Sequence, residues 1–223
     1  VPFNLISNKV LEKKNRSRDF HYSMTDLNAS ITHQFKKDSR LSANFYYGAD
    51  RLGFQTSDID KTDDLDLKWG NILGSLNWKK QFSDDLHLNT SLHYVRSYTD
   101  VDLLHVYENT YSAQQNISYL NDIGAKVELD WMPSEYHHIS AGAGFTEYLL
   151  DSRRNHSSEP ETDNLFKLKY DISEVALHAA DEISISNWFK TNIGLRYSLT
   201  TQGETTYHSI EPRAALRFQL NDA

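Results

Sequence analysis

From Tyr22 to Leu220 apolar and polar residues alternate with a period of two in nearly every stretch, and scarcely anywhere with the spacing of a helix. Alternation sustained over so many segments predicts strands, each with one oily and one wet face. Nine are expected, at 22 to 35, 40 to 53, 64 to 82, 86 to 99, 116 to 131, 137 to 150, 167 to 185, 189 to 201 and 208 to 220. Most are at least twice the usual strand length of about 5 to 6 residues, so the length itself needs a cause. The last two show the pattern most plainly: Ile193, Leu195, Tyr197 and Leu199 are answered by Ile210, Pro212, Ala214 and Leu216, while Asn192, Arg196, Arg213 and Arg217 fall on the other side.

The connections alternate as well. Short turns at 36 to 39, 83 to 85, 133 to 136 and 187 to 188 are interleaved with polar stretches near 54 to 63, 100 to 115, 151 to 166 and 202 to 207, read here as long loops. In an antiparallel meander this puts all tight turns at one end and all loops at the other, an asymmetry typical of transmembrane barrels. Aromatic residues gather toward both ends of the strands, with aliphatics between them. Trp69, Trp78, Trp131, Trp188 and Phe189 are the expected interface girdle, because rings with a polar edge favour the headgroup level. The fold expected is therefore all-β, an antiparallel up-and-down transmembrane β-barrel segment. A soluble β-sandwich, with aromatics paired in its core, is the alternative.

The opposite face carries residues such as Asn28, Ser30, Asn44, Ser75, His93, Lys126 and Glu128, which suit a hydrated or plugged lumen and not a dry core. Two places fit less well. The phase slips around Gly70 and Asn71, which suggests a bulge, and Asp181 falls on the oily face of its strand. Nine strands cannot close a barrel of the even-numbered kind, so the segment reads as part of a larger one, and its start, lacking both Met and an apolar leader, as that of a mature product or fragment.

The chain carries a formal charge of -8 with its Lys and Arg scattered, which argues against a nucleic-acid partner, since phosphates need a basic stripe. It has no cysteine, which removes disulfides, thiolate metal sites and cysteine nucleophiles together. No run of about 18 apolar residues offers a transmembrane helix, but barrel strands leave no such run.

The stretches "DLNASITHQFKKDSRLSANFYYGADRLGF", "WGNILGSLNWKKQFSDDLHLNTSLHYVRSY", "KVELDWMPSEYHHISAGAGF" and "IGLRYSLTTQGETTYHSIEPRAALRF" together resemble the barrel of TonB-dependent outer-membrane receptors, with the flavour of the SusC-like and carboxypeptidase-regulatory-like receptors of Bacteroidota. The most specific pieces are "WGN" at 69 to 71, "GLRYS" at 194 to 198 and "EPRAALRF" at 211 to 218, all strand signatures. The resemblance covers about Tyr22 to Leu220 and implies a barrel of about 22 strands filled by a plug. It further implies a Gram-negative outer membrane, import of a siderophore, cobalamin, glycan or peptide, energy from the TonB, ExbB and ExbD complex reached through the plug, and in some members a surface lipoprotein partner. Plug, TonB box and remaining strands are not in this sequence, so the chain would be the middle of a receptor barrel.

Within that frame Tyr98, Tyr107, Tyr111 and Tyr207 are the loop candidates for stacking on a sugar or chelate. A passive porin is the other transport reading. No hydrolase, zinc-protease or nucleotide-loop motif occurs, and no catalytic residue, cofactor or metal is expected. His137 with His138 reads as a polar turn, Asp58 to Asp66 as a solvated acidic loop, and Ser91 with His93 as two residues sharing a face through alternation alone. The Asn-x-Ser triplets at Asn28, Asn89 and Asn116 read as inward polar positions.

Overall fold

The structure is a computed structural model, and it describes residues 17–58, 60–108, 110–158 and 164–220. Nine antiparallel strands form one sheet in chain order: β1 (Ser17–Lys36), β2 (Ser39–Asp58), β3 (Lys61–Ser83), β4 (Leu86–Tyr107), β5 (Thr110–Ser134), β6 (His137–Ser157), β7 (Asn164–Ser186), β8 (Phe189–Gln202) and β9 (Thr205–Phe218). Each strand pairs with its sequence neighbours, and among the described residues β1 and β9 are the edges of the sheet. Among the described residues no second layer exists and no hydrophobic side chain is buried, so the sandwich alternative falls.

Local chemistry makes this sheet. One register row across eight strands reads Ile31, Ala43, Leu76, Leu92, Ala125, Phe145, Val175 and Leu199. The next row, on the opposite face, reads Ser30, Asn44, Ser75, His93, Gly124, Thr146, Glu174 and Thr200. A one-residue slip anywhere would exchange the two rows, and that fixes the register. The face with the aliphatic row is called outer and the other inner.

The connections correct the expected loops. Asp58 pairs with Lys61, Tyr107 with Thr110 and Gln202 with Thr205, so three of the polar stretches are strand ending in two-residue tips. At the last of these Gly203 takes φ 58°, a left-handed value that glycine adopts without a Cβ clash. In the fourth, β6 continues through Ser157 and β7 resumes at Asn164. The reason is that a sheet extends by backbone pairing, which does not require the side chains to alternate in polarity. The two ends still differ. At the short-turn end the register shifts within each of β1, β3, β5 and β7, and the turn carbonyls of Asp38, Asp85, Tyr136 and Trp188 accept the amides of Gln81, Met132, Ser184 and Gln219 at 2.7 to 2.8 Å. Each short hairpin is thereby tied to the strand that follows it.

No bulge lies at Gly70 and Asn71, where pairing to both neighbours is continuous. What changes there is the polarity of the faces. Beyond this level the inner face of β1 to β4 carries the rows Tyr22, Leu52, Leu67, Val101 and Phe20, Phe54, Leu65, Leu103. The outer face carries Ser23, Arg51, Lys68, Asp100 and His21, Gly53, Asp66, Asp102. The tip of β7 repeats the inversion, with Phe166, Leu168 and Tyr170 inner and Lys167, Lys169 and Asp171 outer.

Candidate functional site

The outer face of the short-turn half is a belt. Trp78, Trp131 and Phe189 stand on it, and Trp188, Phe189 and Phe218 stack at the end of β8 and β9, with the Phe189 and Phe218 centroids 4.8 Å apart. Trp69 departs from this set. With no bulge to turn it, it shares the inner face with Asn71 and Ser75, opposite Asp50 and Thr99. Asp181 does lie on the outer face, between Ile139 and Ile193, close to the short turns, and its carboxylate is 2.7 Å from His137 Nδ1. That pairing is what allows a carboxylate beside the belt.

The inner face of the same half is a hydrated wall. Asn44 accepts from Ser30 Oγ at 2.8 Å and donates to Ser75 Oγ at 3.2 Å. His93 Nε2 is 3.0 Å from Asp122, Arg196 donates to Glu174 at 3.0 Å, and Arg213 to Glu211 at 3.0 Å. Of these groups His93, Glu174, Arg196 and Arg213 border a shallow concavity of ≈ 510 Å³ across β4 to β9. Gly144 and Gly194 line it, and the imidazoles of His93 and His178, which border it as well, lie over the neighbouring Gly124 and Gly142. Asn28, Asn89 and Asn116 all fall on this face, as polar alternation requires.

The tip half inverts the electrostatics. On the outer face Arg51 grips Asp66 with two bonds of 2.8 and 2.9 Å, and Lys68 is 3.0 Å from the same carboxylate. The Arg51 bond holds the Asp66 carboxyl below its usual value, assisted by Lys68 against partial desolvation. Asp102 nearby is pushed up, first by burial and then by Asp100. On the inner face none of the described residues covers the apolar rows: Tyr22 is 45%, Phe54 40% and Leu103 41% exposed. Exposed apolar area this continuous marks a surface that meets something else.

The four tyrosines are therefore strand residues, and the sheet divides them. Tyr98 is outer, its ring 2.7 Å from where a Cβ on Gly70 would be, at the upper edge of the belt. Tyr111 is outer too, on a concavity with Asp66 and Asp102. Tyr107 and Tyr207 are inner, at the tip of β4 and near that of β9 on the free edge. The apolar inner rows leave one signal in the sequence, the phase slip at Gly70.

The remaining candidates are parted by the same alternation. His137 faces outward to Asp181 while His138 faces inward, 3.5 Å from Asp130, so the two cannot share an ion. In the acidic run Asp63 is inner, bonded to Lys61 and to His105, and Asp66 is outer. No group of three or more potential metal ligands comes together among the described residues. Ser91 and His93 share the inner face, but the ring nitrogen of His93 is turned to Asp122.

A belt on one side, a wet wall on the other and strands of 14 to 25 residues define an outer-membrane β-barrel wall. The chain belongs to the TonB-dependent receptor-like β-barrel family, whose model, "TonB dependent receptor-like, beta-barrel", matches residues 8–223. Among solved structures it is similar in fold to the ferric yersiniabactin uptake receptor FyuA from Yersinia pestis, at TM-score 0.53 and 7% identity over 88% of this chain and 39% of that one. It is likewise similar to BauA, the ferric preacinetobactin receptor from Acinetobacter baumannii, at TM-score 0.56 and 10% identity over 93% of this chain and 45% of that one. The chain thus spans less than half the length of either. No curated protein matches it in sequence.

Proposed function

We propose that this chain is part of the barrel wall of an active outer-membrane importer and that its tip half helps capture a ligand with an apolar or aromatic surface, such as a ferric chelate. The carrying observation is the polarity inversion. An open aqueous pore needs a polar lining to its mouth, whereas here, on β1 to β4, the mouth side of the inner face presents Phe20, Tyr22, Phe54, Leu65, Leu67 and Leu103, with Asn116 and Arg154 continuing the row on β5 and β6. A bare glycan or a passively diffusing ion would gain little from such rows. The similarity in fold to two ferric-chelate receptors supports the same reading. A SusC-like subtype with a surface lipoprotein, and coupling to TonB, ExbB and ExbD through a plug, are parts of the proposal that rest on resemblance.

The remaining barrel follows from the edges. β1 and β9 run in the same direction, so an all-antiparallel closure takes an odd number of further strands; unpaired edges in lipid would be costly. Uptake of iron-labelled chelates by cells carrying the whole receptor, with and without an uncoupler, tests the reading. Energy-dependent uptake that falls with Phe54→Ser or Leu67→Ser supports it. Uncoupler-insensitive flux of small polar solutes would make the protein a passive porin.

A further inference from the structure

We propose that Arg40 and Lys79 form an anion-gripping site on the inner wall near the short turns, and that its occupant is an acidic peptide segment lying inside the barrel. This rests on the reading above that the interior is filled by protein. Arg40 and Lys79 are directly opposed across β2 and β3 on the inner face. Like charges in that position repel at close range and destabilise the pair unless a counter-charge sits between them.

Neither has one among the described residues. Elsewhere on this half of the inner wall, on strands flanked on both sides, each Lys and Arg has a carboxylate: Lys126 has Glu128, Lys190 has Glu182 and Arg196 has Glu174. The acids that line the same concavity are already engaged, Asp38 by Lys80 and Asp130 by His138. Arg40 and Lys79 line an open concavity of ≈ 400 Å³.

A second group in the same concavity says what kind of anion fits. Asn89 sits opposite Lys79 on β4, and its Oδ1 is buried with no donor. The site therefore lacks one negative charge for two cations and one N–H for an amide oxygen. A peptide bearing Asp or Glu supplies both, the carboxylate bridging the cations and a main-chain amide reaching Asn89.

The test uses the whole receptor in isolated outer membranes, treated with a water-soluble carbodiimide that joins an amine to a carboxylate in contact with it, followed by peptide mass spectrometry. The expected product links Lys79 to an Asp or Glu outside the nine strands. It disappears in Lys79→Gln and is weakened in Arg40→Gln, which keeps the reactive amine. Acetylation of Lys79 is expected to be about tenfold slower than that of Lys167, exposed on the outer face at the tip of β7, corresponding to about 1.4 kcal/mol of protection. Equal reactivity of the two lysines, or links from Lys79 only to Asp38 or Asp130, would overturn the site. Protection by added inorganic phosphate, without a link, would overturn the peptide as occupant. Uptake measured on the same membranes separates the two readings: energised uptake without the link leaves the importer standing and removes the site, and the link without uptake does the reverse.

Discussion

Gly74→Arg is the sharpest perturbation of the face assignment. Gly74 lies on the outer face of β3, between Ile72 and Leu76, and a Cβ built on it meets no atom within 4 Å. Steric damage to the sheet is thereby removed from the comparison. Ten residues of β3 separate the belt residue Trp78 from the first outer-face charge, Lys68. At about 3.4 Å per residue and a tilt of about 45° the vertical distance is about 24 Å, matching the apolar band of a barrel at about 25 Å. Gly74, four residues above Trp78, stands about 10 Å up, near mid-bilayer. An Arg there is expected to cost about 2–4 kcal/mol. The neighbouring Ser75→Arg, on the inner wall, should cost less than about 1 kcal/mol because its guanidinium stays in water. The assay is reversible unfolding of the whole receptor in phospholipid vesicles, with Gly74→Leu as a control that keeps or raises stability. Equal costs for the two Arg variants would refute the assignment of faces, and a larger cost at Ser75 would invert it.

Three further expectations follow from the contacts. Gly70→Ala drives a Cβ to 2.5 Å from the Gly48 carbonyl, a backbone atom that cannot swing away, and should cost about 1–3 kcal/mol, whereas Gly144→Ala, with its nearest atom at 3.8 Å, should be close to neutral in the same unfolding assay. Because Asp66 has a folded pKa below its unfolded value of about 3.9, its contribution is complete above that pH and is lost as pH falls through the folded value. Hydrogen exchange at the β2–β3 tip should report that loss; Asp66→Asn abolishes it, and Arg51→Gln shifts its midpoint upward more than Lys68→Gln does. Beside the belt, His137→Leu leaves the Asp181 carboxylate unpaired against lipid and should destabilise the vesicle-inserted protein more than Asp181→Leu, which leaves a neutral imidazole; the double substitution should recover most of the difference.

Much of this architecture was legible in the amino-acid order. A period of two, sustained from Tyr22 to Phe218, determined the nine strands, their order and, in the short-turn half, which residues share a face, because a pleated backbone sends successive side chains to opposite sides whatever they are. The same rule placed Asn28, Asn89 and Asn116 on the inner face and the apolar row from Ile31 to Leu199 on the outer. Pairing alone decided the rest. The stretches 54–63, 100–115 and 202–207 look like loops because they are polar and separate the more apolar runs, yet backbone hydrogen bonds carry the ladder to two-residue tips, and Tyr107, Tyr111 and Tyr207 become strand residues on two faces. Trp69 counts as a girdle residue only if a bulge shifts its phase. Unbroken pairing on both sides of β3 turns it inward and converts an apparent slip into an exchange of polarity between the two faces. The opposition of Arg40 and Lys79, 39 positions apart, likewise exists only once two strands are laid side by side in register.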